Sequence, residues 1–168
     1  SETELQIQNY RTSMSPWLLA KMLQFLDLNS ADNVLSLAAG YGYSCALMSS
    51  LANFVVAVET RDLAREAQVR LIEGGYDNIL VREGNINEGA EEEGPYDAIL
   101  IEGAVEYINE EIINQLKLEG RIIAVFKEKI LGQCRLGIKT NSGVQWRNLF
   151  EANCVLLNDF KLEKEFTL

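Results

Sequence analysis

The chain has 168 residues, about one domain's worth, and that is enough to close an apolar core without metal or disulfide. Hydrophobic residues make up 48% and charged residues 24%, which excludes a disordered or fibrous chain. Asp plus Glu number 25 against 15 Lys plus Arg, for a net charge of −10 that disfavours nucleic acid and anionic membranes, and the absence of histidine excludes Ser-His-Asp, Cys-His and imidazole-metal chemistry.

In chain order, a polar leader precedes Ser15-Pro16, which reads as an N-cap followed by proline at the first helical position. Leu18, Leu19, Met22, Leu23 and Leu26 then keep helical spacing, predicting a helix over 16–27. Next come a strand at 33–37, a helix at 43–51, a strand at 54–59 and a helix at 63–73 stopped by Gly74-Gly75. Strands at 78–82 and 96–101 follow, with Glu91-Glu92-Glu93 as a solvated loop between them, then a helix at 109–118 and a strand at 121–126. Beyond Gly132, short β-like runs at 134–139, 144–149 and 154–157 are split by Thr140-Asn141-Ser142-Gly143, a hairpin signal. The predicted fold is therefore α/β: a doubly wound, mostly parallel, Rossmann-like seven-stranded sheet with an antiparallel C-terminal hairpin, in a single domain spanning 1–168.

Cys45, Cys134 and Cys154 are odd in number, far apart and set among apolar neighbours, so they read as small buried hydrophobes in a reducing compartment, the cytoplasm. Trp17, Trp146 and the apolar tail are expected in the core. The longest apolar runs, such as Phe54-Val55-Val56-Ala57-Val58, fall far short of the roughly 20 residues of a bilayer span. The acidic start, Ser1-Glu2-Thr3-Glu4, is no signal peptide.

In an open parallel sheet, ligands bind beyond the carboxyl ends of the strands, and the first such turn here is Leu37-Ala38-Ala39-Gly40-Tyr41-Gly42-Tyr43. Gly40 and Gly42 allow positive φ and close approach of the backbone to a ligand. Glu59 closes the second strand 19 residues after Gly40, the spacing at which a carboxylate can accept both hydroxyls of a ribose. Plainer readings, a tight turn and a solvated strand-end carboxylate, remain open at this point. A nicotinamide dinucleotide uses the same spacing, but the roughly forty residues after 126 hold no second nucleotide-binding half. S-adenosylmethionine suits a single half better.

These residues resemble the protein-L-isoaspartate O-methyltransferases, within the class I methyltransferases. Val34 to Tyr43 is similar to the family's cofactor loop, Val58-Glu59 to its ribose acid, and Gly75-Tyr76-Asp77-Asn78-Ile79 to the approach to its third strand. Gly94-Pro95-Tyr96-Asp97-Ala98-Ile99-Leu100 and Gln115-Leu116-Lys117-Leu118-Glu119-Gly120-Arg121 match as well, with a looser echo in Phe166-Thr167-Leu168. Ser13-Met14-Ser15-Pro16 resembles the segment that carries the active-site hydroxyl, which makes Ser15 that residue; an ordinary N-cap is its alternative role. Departures are equally specific. Ser36 stands where the family usually has an acid at the end of the first strand; Ala38, Ala39 and Tyr41 replace its Gly, Thr and Ser; Asn85 replaces its Asp. The chain also begins where the family has already used some dozens of residues on an N-terminal segment that helps enclose the site.

The resemblance implies S-adenosylmethionine held by Ser36, Ala38, Ala39, Gly40, Gly42, Tyr43, Glu59, Thr60, Asn85, Ile86 and Glu102, with no metal. It implies methyl transfer to an isoaspartyl carboxylate of a damaged protein or peptide. Such a carboxylate is already ionised at neutral pH and needs no general base, so the lack of histidine is no handicap. Neither nucleic acid nor membrane is expected as a partner, and the protein is expected to be a monomer or weak dimer. The alternatives are a cofactor-binding module without turnover and a methyltransferase for another substrate. The Asn/Asp-Pro-Pro-Tyr/Phe motif of amino methylation is absent near the fourth strand, where Ile101-Glu102-Gly103-Ala104 stands.

Overall fold

Proline at the first helical position sets the start of α1 (Pro16–Leu26), where the Ser15 hydroxyl accepts a hydrogen bond from the Leu18 amide at 3.3 Å. Asp27 ends the helix in left-handed backbone at φ 51°, one residue earlier than expected. The computed structural model describes residues 14–163, so the polar leader, Ser13 and the Phe166-Thr167-Leu168 echo lie outside the described residues.

Seven strands form one sheet: β1 (Asn33–Leu37), β2 (Phe54–Glu59), β3 (Ile79–Glu83), β4 (Tyr96–Val105), β5 (Leu116–Glu128), β6 (Leu131–Thr140) and β7 (Gly143–Glu151). Their order is β3-β2-β1-β4-β5-β6-β7, with β1 to β5 parallel and β6 and β7 antiparallel. The mostly parallel sheet and its antiparallel C-terminal hairpin are as the sequence predicts. Successive strand residues face opposite sides, and both sides are covered. On one side Val34, Val55, Ala57 and Leu100 meet α1, α2 (Tyr43–Ser49) and α3 (Arg61–Glu73) through Met22, Cys45, Met48 and Ala67. On the other, Leu35, Leu37, Val56 and Ile99 meet Ile112 of α4 (Glu110–Asn114) and the tail residues Leu157 and Phe160.

Three expectations are corrected. The helix expected over 109–118 ends at Asn114, and Leu116-Lys117-Leu118 begins β5 instead, with Leu116 paired to Tyr96. Gln115 forces this exit: its side chain accepts from the Ala90 amide at 2.9 Å and donates to the Glu88 carbonyl at 2.8 Å, while the Lys139 ammonium takes up the Ile113 and Leu116 carbonyls. The run 154–157 is no strand, because β1 occupies that flank of β4 as far as Ile101 and leaves the tail a single bridge, Ala104 to Leu156. Finally, Trp17 and Trp146 are 53% and 37% exposed rather than core. Trp17 packs edge-on against Phe150 under the Lys21 ammonium, and Trp146 on the edge strand packs against Phe126. Cys45 and Cys134 are buried with free thiols, and Cys154 is half-buried.

Candidate functional site

The strand order reverses between β1 and β4, since the chain leaves β1 toward β2 on one side and returns to β4 on the other. Crossovers that diverge from this point leave a crevice at the carboxyl ends of the strands. The turn into α2 lies there, with Ala38, Gly40 and Gly42 at φ 64°, 60° and 90°. A Cβ at Gly42 would meet Leu71 Cδ1 at 3.0 Å in a conformation that L side chains rarely adopt, so glycine is required on two grounds. Ala38 tolerates the same backbone sign at a cost of about 1–2 kcal/mol.

Two carboxylates grip this turn from the neighbouring strands. Leu37 pairs with Val58, so Glu59 emerges one residue beyond, beside the turn. It is fully buried: Oε2 accepts from the Gly40 amide at 2.8 Å, and Oε1 accepts from the Thr60 amide at 2.8 Å and the Thr60 hydroxyl at 3.4 Å. The solvated strand-end alternative is thereby removed, since a carboxylate at this depth must be held by donors. From β4, Glu102 Oε1 accepts from Ser36 Oγ at 3.4 Å and from Ser44 Oγ in close contact; both serines are buried. Cys45 packs against this group, and its thiol pKa is pushed up to about 12, mainly by burial and further by the charge on Glu102, against hydrogen bonds to Ser36 and Ser44.

The structure thus brings together Ser36, Ala38, Ala39, Gly40, Gly42, Glu59, Thr60 and Glu102, while the Tyr43 ring starts α2 exposed to solvent. Asn85 and Ile86 follow β3, next to β2; the exposed Asn85 amide donates to Glu88 at 3.0 Å, and the Ile86 side chain is sunk in the core. A cleft of about 460 Å³ between Arg82 and Gln115 is walled by Glu83, Glu88 and Glu91 to Glu93 and shares only Asn85 with the expected residues. The hydrogen bond described for the Ser15 hydroxyl is to the backbone of its own helix, the N-cap role. Among the described residues no group of three or more acidic, cysteine or histidine side chains could hold a metal. Sequence reading missed Ser44 and Cys45. Ser44 follows the glycine turn directly, but its meeting with Glu102 depends on the register of β1 on β4.

A family model described as Protein-L-isoaspartate(D-aspartate) O-methyltransferase (PCMT) matches residues 1–157. Protein-L-isoaspartate O-methyltransferase 2 of Pelobacter propionicus is 36% identical over 120 residues, covering 71% of this chain and 53% of that protein. The Protein-L-isoaspartate O-methyltransferase of Helicobacter pylori (strain G27) is 32% identical over 148 residues, covering 88% and 70%. A solved protein-L-isoaspartate O-methyltransferase superposes with TM-score 0.85 at 25% identity over 94% of this chain and 53% of its own. A Plasmodium falciparum structure described as a complex with S-adenosyl-L-homocysteine gives TM-score 0.78 at 22% identity, covering 95% and 81%. The chain spans about half the length of the first of these relatives.

Proposed function

Because the chain belongs to the protein-L-isoaspartate(D-aspartate) O-methyltransferase family, we propose that it binds S-adenosylmethionine across the turn leaving β1 and methylates isoaspartyl carboxylates in damaged proteins. The observation that carries this reading is the buried Glu59 carboxylate set against the Gly40 amide, beside a turn of positive-φ residues. The residue types support this reading: Gly40 and Gly42 turn the backbone at positive φ after β1, and a carboxylate closes β2 at the spacing from that turn that suits a ribose diol. Ser36, Ala38, Ala39, Tyr43, Thr60 and Glu102 would surround the amino-acid and sugar portions, with Asn85 and the Ile86 backbone toward the base. When bound, the cofactor supplies a methyl group on a sulfonium, which an ionised carboxylate takes in line with no proton to remove. The chain therefore has to position rather than to activate, and a sequence without histidine can do so. Ser15, at the mouth of α1, would orient the acceptor by donating its hydroxyl proton while its oxygen caps the helix. The buried free thiols of Cys45 and Cys134 support a reducing, cytoplasmic setting.

Calorimetric titration with S-adenosylhomocysteine, paired with methyl transfer to an isoaspartyl peptide and to its aspartyl counterpart, tests the proposal. Binding plus transfer to the isoaspartyl peptide alone is the expected result. Binding without transfer to either peptide overturns the enzyme and leaves a cofactor-binding module.

A further inference from the structure

We infer that Glu102 is the positioning acid of the cofactor turn, supplied from β4 to replace the acid that the family resemblance places at Ser36 on β1. The inference rests on the proposed cofactor site and adds to it how this chain keeps the turn in shape without the expected β1 carboxylate.

The register makes the exchange geometrically direct. Ser36 lies opposite Leu100, and parallel partners in register point to the same face of the sheet. Glu102 lies two residues past Leu100, just beyond the last β1–β4 pair at Leu37 and Ile101 and in the stretch where β4 is irregular against β5, which brings position 102 close to position 36. The hydrogen bond from Ser36 Oγ to Glu102 Oε1 joins these two positions. The second bond, from Ser44 Oγ to the same oxygen, extends the link across the turn into the first residues of α2. One carboxylate oxygen therefore closes a ring that runs from Ser36 through the turn to Ser44. Glu59 does the corresponding work from β2 by holding Gly40, and the turn is braced from both strands that flank β1.

The chemistry explains why the two positions must change together. A half-buried carboxylate needs donors, and among the described residues the Ser36 and Ser44 hydroxyls both serve Glu102. A carboxylate at 36 with Glu102 retained would set two negative charges in contact, beside the already buried Cys45 thiol and near Glu59. Loss of Glu102 alone would leave Ser36 and Ser44 without their shared acceptor. An acid at 36 or at 102 works; an acid at both or at neither does not.

The test is a double-mutant cycle on the full chain with Ser36→Glu, Glu102→Ser and the double exchange, reading thermal stability without ligand and S-adenosylhomocysteine affinity by calorimetry. Each single variant is expected to bind at least about tenfold more weakly. The double exchange is expected to return to within about threefold of the parent. A double variant as weak as the two single losses combined overturns the exchange. Unchanged affinity in single variants whose melting temperature falls also overturns it, since a purely structural brace would move stability alone. If the parent itself binds no S-adenosylhomocysteine, the proposed cofactor site fails; the exchange is then decided by the unliganded melting temperatures, which must still show rescue in the double variant and overturn it if they do not.

Discussion

Gln115 shows how much one side chain can decide. It is 5% exposed, and its amide satisfies the Ala90 N–H and the Glu88 carbonyl in the segment between β3 and β4. The same amide lies where a Cβ on Gly89 would be, so Gly89, at φ 63°, is required by both space and backbone. Replacing Gln115 with Leu keeps much of the volume but leaves two partly buried backbone groups without their partner, at about 1 kcal/mol each, the low end of the range for such losses. Gln115→Leu is expected to lower the melting temperature by roughly 4–10 °C at this chain size, as read by circular dichroism. A loss below 1 °C would show that water serves those groups. Ala38 teaches a different lesson: it carries φ 64° where the family resemblance places glycine, so the backbone conformation of the turn outlasts the residue that would favour it.

At the scale of elements, the β5–β6 connection is a two-residue hairpin, as is the one between β6 and β7. Glu128 pairs with Leu131, leaving Lys129 and Ile130 as a two-residue loop with φ positive, 55°, only at the first. That pattern is the one in which glycine leads at the first central position, because lysine there carries the left-handed penalty. Lys129 is exposed. Lys129→Gly is therefore expected to stabilise the protein by about 0.5–1 kcal/mol, seen as a higher urea midpoint with an unchanged slope. A lower midpoint would mean that the hairpin gains more from the stiffness of lysine than it loses to strain. The second hairpin, between β6 and β7, turns through Asn141-Ser142, with the Thr140 hydroxyl accepting from Ser142 N and donating to the Gly143 carbonyl. Its polar signal made it legible in sequence, while Lys129-Ile130 carries no turn signature. The short α4 was misread for a similar reason: Leu116 continues the helical spacing of Ile112 and Ile113, and only the distant Ala90 and Glu88 groups show that Gln115 must leave the helix.

For the molecule as a whole, three groups in the two core layers tie stability to alkaline pH. Burial lifts the Cys45 and Cys134 thiols from about 9 and the Tyr96 hydroxyl from about 10, each to about 12. The folded protein holds these protons more tightly than the unfolded chain, so their contribution is complete below pH 9 and is lost as pH rises toward 12. The urea midpoint is expected to hold level up to about pH 9 and then fall steadily. A flat profile through pH 11 would show that these groups ionise inside the fold. The class of fold was readable from the chain alone, because period and run length are local: continuous apolar strands alternating with amphipathic helices admit few arrangements other than a covered parallel sheet. The glycine turn and Glu59 were readable for the same reason, since a fixed spacing of 19 residues spans one strand-helix-strand unit. Tertiary structure alone decided that Glu59 is buried and grips Gly40, that Trp17 and Trp146 sit at the surface, and that Glu102 answers to Ser36 and Ser44. Ser36 and Glu102 are 66 residues apart, and such a pairing exists only once β4 has taken its register beside β1.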